Sequence, residues 1–167
     1  ATVAYALTPL ARLVALRFDI VDSPGGYKVQ RAPVPYLGGL AMVIATSAVL
    51  LVAAPVVAPG RTWVELAIIL GLASVLAAVG LMDDALGLSP MVRFGVQIVV
   101  AAAAWAAGNG VSLLGEPFDM MLTLLWVVGV TNAFNLLDNM DGLSAGVAAI
   151  AALGFAGLGL MSGQFLV

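Results

Sequence analysis

Asp83 and Asp84 stand side by side at the end of the apolar run Leu66–Met82. Adjacent residues on a helix point about 100° apart, so two neighbouring carboxylates do not face each other; they can serve one site in different roles, one at a metal ion and the other at a substrate proton or orienting a partner, or they can simply mark a helix terminus exposed to water. Acids at a helix C-terminus oppose the macrodipole there, and an ionisable group near membrane depth reads as functional by default. A second constellation is Asn132, Asn135, Asp138 and Asp141, each three residues after the last. The first three form a slanted polar stripe on one helix face, about 9 Å long, and Gly142 allows a turn that brings Asp141 back toward the helix end. So oxygen-rich a stripe suits a hard cation such as Mg²⁺ and hydrogen bonds to sugar or phosphate. Asparagine also joins helices structurally in membranes; two Asn alone fit that reading, whereas two Asn leading into two Asp fit it poorly, given the cost of acids in lipid. The third feature is the segment 22–39. There Lys28 and Arg31 can neutralise phosphate or attract anionic headgroups, Pro33 and Pro35 stiffen the chain, and Gly38 and Gly39 permit close backbone approach.

These groups need elements to hold them, and composition says which. Of 167 residues 63% are hydrophobic and only 9% charged, against about a quarter charged in a soluble domain, so water is not the main solvent. Uncharged stretches run from Ala32 to Gly60, Phe94 to Gly115, Met120 to Leu137 and Gly142 to Val167, and a spanning helix needs about twenty apolar residues. The expected fold is therefore all-α, a polytopic membrane helical bundle of about six helices in one integral-membrane domain over 1–167. The first helix ends near Arg17; the others cover about 37–54 (stopping before Pro55), 63–82, 91–107, 120–137 and 143–161. With Cys and His both absent, thiolate and zinc chemistry and an imidazole base are excluded from this chain. The chain has no starting Met or charged leader, so it reads as a piece of a longer protein. No nucleic-acid partner is expected.

Counting spans puts Asp19, Asp22, Asp83, Asp84, Asp138 and Asp141 on one side of the bilayer. Arg17, Lys28, Arg31 and Arg93 lie on or near that side and Arg61 opposite, so the positive-inside bias makes the acidic side cytoplasmic, with Trp63 and Trp105 in the opposite aromatic belt. Arg93 either anchors its helix at the interface or faces the acids. The outer segment 111–119 reads as a short hairpin or interfacial loop without functional weight, and Gly154, Gly157, Gly159 and Gly163 as helix-packing positions.

Three blocks in order, DSPGGYKVQRAPVPYLGG, GLMDDALGLSPMVRFGVQ and NAFNLLDNMDGLSAG, resemble the polyprenyl-phosphate sugar-1-phosphate transferases (glycosyltransferase family 4). The match covers nearly all of this chain but only the N-terminal part of a family fold of about ten spans. The resemblance implies transfer of a sugar-1-phosphate, an N-acetylhexosamine-1-phosphate, from a UDP-sugar to undecaprenyl or another polyprenyl phosphate with release of UMP. That is the first membrane step of cell-envelope glycan synthesis. It implies Mg²⁺, with Mn²⁺ as a substitute, a multi-pass protein of the bacterial plasma membrane with a cytoplasmic site, and a homodimer. By resemblance Asp83, Asp84 and Asp138 are catalytic. Asp138 and Asp84 hold the metal, and Lys28, Arg31, Asn132, Asn135 and Asp141 bind substrate. Many members carry His two residues after the loop lysine, where this chain has Gln30; that argues against an essential imidazole at this point. The chain also ends before the family's further aspartate motif and basic sugar-recognition loop. The alternatives are a transporter or channel, a phosphatidyl-alcohol transferase, and an inactive scaffold. Acids at span ends on one side disfavour the first, and the missing Asp-Gly-x-x-Ala-Arg pattern disfavours the second.

Overall fold

The structure, a computed structural model, describes residues 2–22, 33–57, 61–138, 140 and 142–162. Among them are six helices, α1 (Thr2–Arg17), α2 (Gly38–Val57), α3 (Arg61–Leu86), α4 (Pro90–Ala106), α5 (Phe118–Leu137) and α6 (Leu143–Ser162). Two short strands, β1 (Val21–Asp22) and β2 (Val34–Pro35), pair antiparallel, with Val21 opposite Pro35 and Asp22 opposite Val34. The protein is an all-α membrane protein in architecture. By length and composition α3 from Trp63, α5 and α6 can cross a membrane, while Gly38–Ala54 and α4 are shorter apolar helices.

Large apolar side chains face outward. Ile150 is 73% and Leu153 74% exposed, which is tolerable only where the surrounding solvent is lipid or other apolar surface. The buried positions are mostly small, such as Ala15, Ala41, Ala45 and Ala101, as expected where helices associate by close backbone approach rather than by a hydrophobic driving force.

Helix ends depart from the sequence reading in two places. α2 continues through Pro55 to Val57, because a proline in the last turn removes only one N–H at the point where the helix is ending anyway. α3 continues past the acid pair to Leu86 and stops at Gly87, whose φ is +66° and whose N–H closes on the Asp83 carbonyl at 2.8 Å; a left-handed glycine is the usual terminator. Asp83 and Asp84 are therefore in the last turn of α3 rather than beyond it.

Two compact units divide the chain. Unit 1 holds Ala1–Val52 and Leu70–Val96, and unit 2 holds Ala53–Ile69 and Gln97–Val167. In unit 1, α1 ends in a Schellman turn: Asp19 takes φ +56° and Ile20 N–H bonds the Ala15 carbonyl at 2.8 Å. Asp tolerates the left-handed region better than most residues, so Asp19 terminates a helix.

Candidate functional site

Unit 1 places three of the acids near helix ends. Ser89 and Pro90 start α4 in the ordinary way: the Ser89 hydroxyl accepts the Val92 N–H at 3.4 Å and proline occupies the first helical position. That start puts Arg93 in the first turn of α4, where its Nη1 donates to Asp83 Oδ2 at 2.6 Å. Each partner is misplaced for its own helix, an acid at a C-terminus and a cation at an N-terminus, and the ion pair offsets both mismatches. The pair is half-buried, with side-chain exposures of 19% for Asp83 and 32% for Arg93. A guanidinium carries five N–H donors, so the contact to Asp83 leaves donors able to meet a phosphate oxygen. Asp84, one residue on, is exposed and lines a groove between α2 and α3 together with Tyr36. The Tyr36 hydroxyl donates to Asp22 Oδ1 at 3.2 Å, beside the β1–β2 pair.

Unit 2 holds the asparagine–aspartate stripe, and its members divide. Asn132 is half-buried; its Nδ2 donates to Gln97 Oε1 of α4 at 2.6 Å and to the Val128 carbonyl at 2.8 Å. Its amide nitrogen thus joins α4 to α5, the structural use open to a membrane asparagine. Asn135 and Asp138 are exposed, and among the described residues neither makes a side-chain hydrogen bond. Asp138 caps α5, its N–H bonding the Phe134 carbonyl at 3.1 Å. Gly142, with φ +73°, makes the turn toward α6.

Lys28, Gln30, Arg31 and Asp141 lie outside the described residues. Among the described residues no group of three or more His, Cys, Asp or Glu stands together as a metal site. The available donors, carboxylates with amide oxygens and no thiolate or imidazole, are of the type that suits a hard cation.

Sequence reasoning left Arg93 undecided and gave the outer segment no weight. The signal for Arg93 was present: an acid ending one helix and a cation beginning the next, across a Ser-Pro start. The outer segment is an ordered structure built on Asp119, the second residue of α5. Asp119 Oδ1 accepts the N–H groups of Leu113 and Leu114 at 3.0 and 2.8 Å, and Oδ2 accepts that of Gly115 at 3.1 Å. Thr123, one turn later, donates to the Asp119 carbonyl at 2.8 Å and accepts Val111 N–H at 2.9 Å. A Cβ at Gly110 would come within 2.8 Å of the Trp105 ring and 2.9 Å of Thr123 Oγ1, so only glycine fits there without a shift.

Residues 66–167 match glycosyl transferase family 4. The chain is 34% identical to the probable undecaprenyl-phosphate N-acetylglucosaminyl 1-phosphate transferase of Bacillus subtilis, over 96% of this chain and 46% of that protein. It is 33% identical to the decaprenyl-phosphate N-acetylglucosaminephosphotransferase of Mycolicibacterium smegmatis, over 92% of this chain and 41% of that one. It is 30% identical to the undecaprenyl-phosphate alpha-N-acetylglucosaminyl 1-phosphate transferase of Yersinia pestis, over 93% and 44%. The chain thus spans less than half the length of these curated relatives. No solved structure matches it.

Proposed function

The chain belongs to glycosyl transferase family 4, and on that footing we propose that the protein carrying it moves N-acetylhexosamine-1-phosphate from a UDP-sugar to a polyprenyl phosphate, releasing UMP, at the cytoplasmic face of a bacterial plasma membrane. One observation carries this reading: the family match runs through both acidic motifs, Asp83-Asp84 and Asn132 to Asp141, in one unbroken stretch.

The reaction joins two anions. An oxygen of the lipid phosphate attacks the sugar-bearing phosphorus of the UDP-sugar, a new P–O bond forms, and the bond to UMP breaks. A phosphate monoester has a second pKa of about 6 and is mostly ionised near neutral pH, so the residues mainly position and neutralise charge. Asp83, held by Arg93, orients the lipid phosphate or takes its remaining proton. The spare Arg93 donors, with Lys28 and Arg31, face phosphate oxygens. Asn135 and Asp141 hydrogen-bond the sugar-phosphate donor, and Asn132 sets the stripe's position through Gln97. Asp84 and Asp138 would hold Mg²⁺ (or Mn²⁺), which would supply the positive charge that lets two phosphate-bearing substrates approach. A homodimer is part of the same reading.

The test is UMP release from UDP-N-acetylglucosamine by the full-length protein in vesicles loaded with polyprenyl phosphate. Release that requires both the lipid phosphate and a divalent cation is the expected result. UMP release that ignores the lipid, or ion flux across the vesicle without any release, would overturn the assignment.

A further inference from the structure

Asp22 is one of the acids counted to the same side of the bilayer as Asp83 and Asp84, yet the proposed reaction gives it no part. After α1 the chain pairs with itself over a few residues. Tyr36 N–H donates to the Ile20 carbonyl at 3.3 Å, Val21 stands opposite Pro35, and Asp22 stands opposite Val34. Side chains alternate along a strand, so Tyr36, across from Ile20, shares a face with Asp22 as its diagonal neighbour. Diagonal partners lie about 7–8 Å apart, within reach of an aromatic side chain. The Tyr36 hydroxyl spans that gap and donates to Asp22 Oδ1 at 3.2 Å, with both side chains half-buried. A two-stranded ladder is marginal by itself, and a charge-assisted bond from a phenol to a carboxylate ties its strands together.

The position of this bond along the chain gives it a consequence for the reaction. Lys28 is six residues from Asp22 and six from Val34, and those two partners have Cα atoms about 5 Å apart. A chain covers at most about 3.6 Å per residue, so covalent length alone keeps Lys28 within about 22 Å of the pair. Arg31, three residues from Val34, stays within about 11 Å by the same limit. Both phosphate-directed cations are therefore tethered from one point. Tyr36 lines the α2–α3 groove together with Asp84, so the tether point shares a wall with the acid assigned to the metal. We propose that Asp22 and Tyr36 are positioning residues, whose hydrogen bond fixes both ends of the segment bearing Lys28 and Arg31 at this point and so raises the local concentration of the two cations at the reacting phosphates. This rests on the function proposed above. In this role Asp22 serves as an acceptor oxygen for Tyr36, not as a metal ligand or a proton carrier.

Variants of the full-length protein separate this role from a catalytic one. Tyr36→Phe deletes one hydroxyl and keeps the ring, and kcat/KM for transfer should fall about fivefold, the effect of one hydrogen bond. Asp22→Ala should match it. Asp22→Asn keeps an acceptor oxygen and should recover most of the loss. In a Lys28→Gln background Tyr36→Phe should cost less than in the wild type, because the two positions act through each other; a general loss of stability would cost the same in both. Wild-type turnover in Tyr36→Phe, or equal costs in the two backgrounds, overturns the proposal. So does a loss of about 100-fold in Asp22→Asn, the mark of a group acting by its charge at the chemistry. Trypsin reads the tether without any activity. Cleavage after Lys28 and Arg31 should quicken about fivefold in Tyr36→Phe and Asp22→Ala, since cleavage follows local opening, and unchanged cleavage also overturns the proposal. If wild-type protein transfers no sugar phosphate, the proposed reaction fails, and the digestion still decides whether Asp22 and Tyr36 hold the segment.

Discussion

Both ends of α5 carry an aspartate, and the two have opposite fates. Asp119, at the start, is buried, and its carboxylate accepts three backbone N–H groups of the preceding loop. Asp138, at the end, is exposed and makes no side-chain hydrogen bond among the described residues. The first is where a helix N-terminus and an acid attract each other, and the second is where they do not. An acid whose two oxygens already accept three backbone N–H groups has most of its acceptor capacity committed to its own loop, whereas an acid held against its helix dipole without such bonds keeps its oxygens available for chemistry. Composition and hydropathy treat the two alike; hydrogen bonding separates them.

The sharpest way to break this contrast is Asp138→Asn. Transfer should fall at least about 100-fold, the size of effect seen when one preorganised electrostatic group is removed, while thermal stability in detergent shifts by less than about 0.5 kcal/mol, as for other exposed positions. Full activity in the variant would place Asp138 with Asp119 as a structural acid. The mirror experiment is Asp119→Ala. It leaves three N–H groups of the outer loop without their acceptor, and the melting temperature should drop by roughly 4 °C or more, with KM values unchanged in whatever protein remains folded. A selective loss of turnover in well-folded Asp119→Ala protein would mean that the outer loop reaches the chemistry.

Arg93→Gln addresses the intermediate case, an acid that is paired yet proposed to act. It frees Asp83 from its ion pair, and transfer should fall about tenfold, equivalent to about 1.4 kcal/mol. Arg93→Lys should recover part of this, because a lysine retains the charge without the guanidinium's fork. The smallest effect is expected for Asn132→Leu. Losing one interhelical hydrogen bond to Gln97 costs about 0.6 kcal/mol in a membrane bundle, read as a shift in thermal unfolding. A loss of UDP-sugar binding out of proportion to that shift would make Asn132 a substrate contact as well.

Much of the architecture was legible beforehand because its cause is local. Six helices fall within a few residues of where the uncharged runs place them, since a backbone in lipid must satisfy its own hydrogen bonds. Proline and glycine effects were read less well: Pro55 did not end α2, and it was Gly87 rather than the charges at Asp83 and Asp84 that ended α3. At the candidate site the identity of the acids was legible from their spacing, but their partners were not. Asn132 meets Gln97 thirty-five positions away, and Asp83 meets Arg93 in the next helix. Periodicity within one helix holds no information about which neighbour its stripe will face.

Sequence alone therefore determined the solvent of this protein, its helical class, the motifs that place it in a family, and the supply of oxygen donors without thiol or imidazole. Those properties follow from composition and short-range spacing. Only the tertiary structure decided which aspartates are occupied by backbone N–H groups, that Arg93 sits on Asp83, and that α2 and α3 leave an apolar groove ending at Asp84. Each of these depends on two segments meeting in space, where a few tenths of an ångström separate a hydrogen bond from open volume.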